Sequence, residues 1–247
     1  MNLEDKEKRD FVSELTTNAQ SFMYQGKKKD AIKCYDKILA KYSKDTTIIY
    51  GKGMLYFEFN DLEDAIACFD QAIEINPKDI DSIYAKGAIL SSLGKNEEAI
   101  KLFDTVIKEN SEFMIAWLAK GYAYLSIDES EKALHCFEKV EKLGRKEIAL
   151  SGKGHSLMKL NELEKAESCF QEAIKEDPYD PEALYGLGVI AYKKENLKAA
   201  TEHLYRSVVQ DEDNLEAWEM LAEIYKKTKD TEKEKVALAK ITELKEK

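Results

Sequence analysis

One small residue, one alanine and one ring recur along this chain at a nearly fixed interval, and no other feature limits the fold so tightly. Ala31, Ala65, Ala99, Ala133, Ala166 and Ala200 are spaced 34, 34, 34, 33 and 34 residues apart. Four residues after each stands a large apolar side chain: Tyr35, Phe69, Phe103, Phe137, Phe170 and Leu204. Twelve before each stands a residue with little or no side chain: Ala19, Gly53, Gly87, Gly121, Gly154 and Gly188. Leu15, Ile49, Ile83, Trp117, Leu150 and Leu184 precede that small residue by four, and Phe22, Tyr56, Leu90, Tyr124, Leu157 and Ala191 follow it by three. Such self-similarity signals a stacked array of like units, each packing against its neighbours.

Within each unit, apolar spacing at i, i+3, i+4 and i+7 marks an amphipathic helix of about a dozen residues, followed after a short polar break by a second. The breaks carry turn residues at matching places: Gly26, Asn60 with Asp61, Gly94, Asp128, Asn161 and Asn196. A small residue facing the alanine of the partner helix allows close packing of the pair, and the ring fills the space against the next unit. The repeat frames run 12–45, 46–79, 80–113, 114–146, 147–180 and 181–214, with a degenerate capping repeat over 215–247, so that 1–247 is expected to form a single domain. The fourth frame is one residue short near Gly144. The seventh keeps Trp218, Leu221, Ala222 and Tyr225 but has Glu234 where the alanine recurs. Its polar stretch, like the charged start before Phe11, reads as an end cap.

The series large–x2–Leu–Gly–x2–Tyr, then Ala–x3–Phe, then a terminal proline kept at Pro77 and Pro178, resembles the tetratricopeptide repeat (TPR) family over nearly the whole chain. The resemblance implies an all-α TPR helical-repeat solenoid, a right-handed superhelix of about seven helix-turn-helix repeats with the first helix of each pair lining a concave side. It also implies protein binding in that groove. Family members that receive chaperone tails grip a carboxylate with Lys, Arg and Asn. Here the matching places hold Thr16 with Gln20, Tyr50 with Met54, or Leu118 with Tyr122, so that clamp is absent.

Charge and composition exclude several functions. A net charge of −10 repels phosphate backbones, which disfavours nucleic acid. The start MNLEDKEKRD is charged where a signal peptide needs an apolar run, and no window offers eighteen apolar residues, so a cytoplasmic chain with no membrane partner is expected. Cys34, Cys68, Cys136 and Cys169 fall at one place in the second helix and read as small packing residues, too far apart between repeats for a disulfide. His135, His155 and His203 lie in different repeats at different helix positions and do not converge on a metal. Gly51 to Gly53 and Gly152 to Gly154 spell GKG, but inside helices and without a phosphate-loop pattern. No cofactor and no enzymatic activity are expected.

What remains is the stripe of each first helix. At i, i+4 and i+7 it holds Tyr50, Met54 and Phe57; Tyr84, Ala88 and Ser91; Leu118, Tyr122 and Leu125; Ser151, His155 and Met158; and Tyr185, Val189 and Tyr192. Rings at these places can serve as core between repeats, yet the run of tyrosine also suits an interface. Lys159, Lys193 and Lys227 stand one position past the stripe and offer charge for an acidic flank of a ligand. The leading expectation is a protein-protein interaction scaffold or assembly adaptor that holds a partner's peptide or amphipathic helix through Tyr50, Met54, Phe57, Tyr84, Leu118, Tyr122, Leu125, His155, Met158, Tyr185 and Tyr192. The alternatives are a self-associating structural protein, forming a homo-oligomer, and a non-catalytic regulatory subunit of an enzyme complex.

Overall fold

A computed structural model describes residues 3–246, and among these every regular element is a helix. The fourteen helices form seven consecutive pairs: α1 (Leu3–Tyr24) with α2 (Lys28–Lys41), α3 (Thr46–Glu58) with α4 (Leu62–Ile75), α5 (Ile80–Ser92) with α6 (Asn96–Glu109), α7 (Met114–Ser126) with α8 (Ser130–Lys142), α9 (Lys146–Lys159) with α10 (Leu163–Glu176), α11 (Pro181–Lys193) with α12 (Leu197–Gln210), and α13 (Leu215–Thr228) with α14 (Thr231–Glu246). Two compact units divide the chain, Met1–Ala119 and Lys120–Lys247, the division falling inside α7.

The ring of each second helix is the centre of its repeat. Phe69, Phe103, Phe137 and Phe170 are fully buried. The small residue of the paired first helix meets this ring: a Cβ on Gly53 would come 2.7 Å from Phe69, on Gly87 2.8 Å from Phe103, and on Gly154 2.5 Å from Phe170. No real Cβ tolerates such distances, so glycine is a packing requirement here. The alanines, each fully buried, fill separate positions.

The GKG spelling has an equally physical account. A Cβ on Gly152 would lie 2.3 Å from Phe137, the ring of the preceding repeat, and one on Gly186 would lie 2.3 Å from Phe170. The first glycine thus admits the previous ring and the second admits the repeat's own. The lysine just before Gly53, Gly87 and Gly154 pairs backwards: Lys52 with Asp36 at 2.7 Å, Lys86 with Asp70 at 2.5 Å, and Lys153 with Glu141 at 2.7 Å. Each links a first helix to the second helix of the repeat before it.

Turns repeat as regularly as the core. Within the pairs, left-handed backbone occurs at Gly26, Asn60, Gly94, Asp128, Asn161, Glu195 and Lys229, each closing the helix that precedes it. In the sixth repeat the residue in this conformation is therefore Glu195 and not Asn196. Asn196 is the cap of α12, its side chain accepting from the Ala199 backbone N–H at 3.2 Å. Between repeats, Asn76, Asn110, Asp177 and Asp211 each accept the backbone N–H two residues on, at 2.9 to 3.2 Å. The short fourth repeat has only residues 143–145 between α8 and α9, and Gly144 at φ 89° makes that tighter turn. Two loops are also held by indoles: Trp117 donates to the Ser111 carbonyl and Trp218 to the Glu212 carbonyl, both at 3.0 Å.

The last helix packs differently from the others. Ala237, fully buried, makes the contact one turn after Glu234. Its outer surface is less polar than a cap is expected to be, with Val236 63% and Leu238 49% exposed. Cys34, Cys68 and Cys136 are buried, Cys169 is half-buried, and all four are free thiols.

Candidate partner-binding groove

In the first unit, α3 and α5 bring Tyr50, Met54, Phe57 and Tyr84 together around a cleft of about 210 Å³, completed by Ala88, Ile89 and Ser92 and floored by Phe69. The helical period accounts for this: residues 50, 54 and 57 share one face of α3, and 84, 85, 88 and 92 share one face of α5. The Tyr50 ring lies 5.6 Å from Phe69, and the Tyr84 ring lies 5.9 Å from Phe103 and 5.6 Å from Phe113. Each tyrosine therefore rests one edge on the core while its other side lines the cleft. Phe57 is 42% exposed. Leu118, on α7, is half-buried.

The second unit continues the same register with different chemistry. Tyr122 packs edge-on against Phe137 at 5.1 Å, and His155 against Phe170 at 4.9 Å. His155 also stacks on Tyr185 at 6.1 Å, and its Nε2 lies 2.9 Å from a Glu182 carboxylate oxygen. Ser151 donates to Asp180 at 2.5 Å. Leu125 is half-buried, and Met158 packs against the core of this unit with Leu150, Leu157 and Phe170. Tyr192 donates to Glu223 at 2.5 Å, with the Lys227 ammonium 4.5 Å above its ring.

Carboxylates set the electrostatics of this face. Burial first, then Asp81 and Asp79, push the Tyr50 hydroxyl pKa up. Burial with Glu182 and Asp180 does so at Tyr122, and burial with Glu216 and Glu182 at Tyr185. The interaction with His155 holds the Glu182 carboxyl below its ordinary range. Apolar spacing alone does not reveal these acids. Their signal was the position one turn before the stripe tyrosine: Asp81 before Tyr84, and Glu182 before Tyr185. Of the lysines one position past the stripe, Lys159 pairs with Asp128 and Lys227 with Glu223.

Three family profiles, each described as tetratricopeptide repeat, match this chain: one over residues 16–80 and 152–214, a second over 68–101, and a third over 115–146 and 215–247. The chain belongs to the tetratricopeptide repeat family. Solved TPR structures share its fold. A TPR protein from Parabacteroides merdae ATCC 43184 superposes with a TM-score of 0.80 at 17% identity, covering 95% of this chain and 93% of that one. YrrB, described as a TPR protein with an unusual peptide-binding site, gives 0.59 at 22% identity over 75% of this chain and 96% of its own. The APC/C hetero-tetramer Cut9-Hcn1 gives 0.75 at 15% identity over 92% of this chain and 45% of that chain. No protein of curated function matches the chain in sequence. TPR folds are in general protein-interaction scaffolds, and TPR proteins are typically non-catalytic. Among the described residues no three His, Cys, Asp or Glu side chains are grouped to hold a metal, and no helix is long and apolar enough to cross a membrane.

Proposed function

We propose that this TPR chain is an interaction scaffold or assembly adaptor whose first-helix face binds a peptide or helix of another protein. The observation that carries this reading is the cleft bounded by Tyr50, Met54, Phe57 and Tyr84, apolar and open to water. Such surface is costly unless covered part of the time. Tyr122, Leu125, His155, Met158, Tyr185 and Tyr192 carry the same role in the second unit, and Leu118 does so in the first. The seven repeats over 1–247 act as one module, in a cytoplasmic setting and without nucleic acid, membrane or cofactor.

The test is capture of partners from the native lysate on immobilised chain, compared with a Tyr122→Ala, Leu125→Ala variant. Truncating anchors of this kind costs on the order of 2 kcal/mol or more, so affinity falls about thirtyfold. Unchanged capture by the variant contradicts the second unit's share in binding.

Self-association is the second reading, favoured by the exposed Val236 and Leu238 on α14 and Tyr205 on α12. Light scattering at rising concentration distinguishes it: a mass that stays monomeric removes it.

A further inference from the structure

We infer that the first-unit cleft selects a segment in which a large apolar side chain and a lysine or arginine stand about three residues apart; this rests on the reading of the cleft as a binding site. Among the residues of α5 that line the cleft, Tyr84, Ala88 and Ser92 recur at helical spacing, and the same face one turn earlier carries Asp81. From Ala88 back to Asp81 is seven residues, about 10 Å along the axis at 1.5 Å per residue, the length of about three extended residues. Asp81 is exposed and has no ion-pair partner among the described residues. No lysine or arginine lines the cleft among those residues either.

The chain contains its own comparison, 101 residues further on. Tyr84, Asp79, Asp81 and Phe69 correspond to Tyr185, Asp180, Glu182 and Phe170. In the second unit the carboxylate of Glu182 has an occupant: the His155 imidazole, 2.9 Å away, stacked on Tyr185 and edge-on to Phe170. The residue corresponding to His155 in the first unit is Met54. The corresponding aromatic and acidic residues are therefore present in the first unit, with Tyr50 in the place of Ser151, while the nitrogenous group of the second unit is replaced by a thioether. A cation brought by a partner completes the arrangement, resting near the Tyr50 and Tyr84 rings and against Asp81, while its apolar neighbour fills the cleft.

The probes are three end-blocked peptides in a serine background: one with leucine and arginine three residues apart, one with glutamate for the arginine, and one with serine for the leucine. Each is titrated into the full chain carrying 13C-methyl methionine, with the Met54 methyl reporting the cleft. The leucine–arginine peptide is expected to shift Met54 and to bind at least about fivefold more tightly than the leucine–glutamate peptide at low salt, the gap narrowing as salt rises. Asp81→Asn is expected to close that gap, whereas Glu74→Gln on α4 preserves it. Equal binding of the arginine and glutamate peptides, both shifting Met54, overturns the cationic preference and leaves the cleft as a binding site. A Met54 signal that none of the peptides moves overturns both. A gap that survives Asp81→Asn but closes in Glu74→Gln also overturns the inference, assigning the attraction to general surface charge.

Discussion

Phe137 occupies the space that a side chain on Gly152 would need: a Cβ there would approach the ring to 2.3 Å. Gly152→Ala is therefore expected to lower stability by about 1–3 kcal/mol through overpacking between repeats, with helix content retained. Gly121→Leu, whose Cβ would start 2.8 Å from the same ring, should fall in the same range. Urea unfolding followed by circular dichroism measures both. Reducing the ring with Phe137→Leu in the Gly152→Ala background should recover part of the loss, because the two positions share one contact. Full additivity of the two changes would contradict that contact.

Much of this is legible in the sequence because the period fixes which positions are equivalent from one repeat to the next. The seven helix pairs, the buried rings and the in-helix setting of GKG follow from residues recurring at intervals near 34. The period does not say what faces what inside a unit. Gly53 meets the Phe69 ring most closely, one turn beyond Ala65 on α4, because side-chain direction along the helix sets the contact. Nor does apolar spacing reveal Asp81 and Glu182, which matter through the chemistry of the face they share with Tyr84 and Tyr185.

Glu195 and Lys229 hold left-handed backbone at φ 60° and 59°, where the first and third repeats use Gly26 and Gly94. A side chain bearing Cβ is disfavoured there, so Glu195→Gly and Lys229→Gly should each raise stability by about 0.5–1 kcal/mol. Thermal melting checks this. A lower melting temperature in either variant would mean that these side chains contribute more than the backbone strain they impose.

Burial pushes the thiols of Cys34, Cys68 and Cys169 up in pKa. With Cys136 buried as well, all four should react slowly with a disulfide reagent at neutral pH and quickly in urea. Rapid labelling of the folded chain would contradict this packing.

Glu141 accepts from Lys153 across the α8–α9 contact, and that hydrogen bond holds its carboxyl below the ordinary 4.5. A depressed folded pKa contributes stability above the unfolded value and loses it as pH falls through the folded one. Glu141→Gln should therefore cost less than about 1 kcal/mol at pH 7, given the partial exposure of both groups, and nothing measurable near pH 3. A cost that persists unchanged in acid would show that packing, and not charge, explains it.

Under the proposed function, the second-helix rings close the core while the first-helix stripe binds another protein. The most direct measurement places a photo-crosslinking phenylalanine analogue, one site at a time, at Phe57 and Tyr122 on the stripe and at Glu74, Lys108 and Lys175 on second helices, in the cells the chain comes from. Discrete adducts with another protein are expected from Phe57 and Tyr122 and none from the three second-helix sites. Adducts from Glu74, Lys108 or Lys175, with Phe57 and Tyr122 silent, would contradict it.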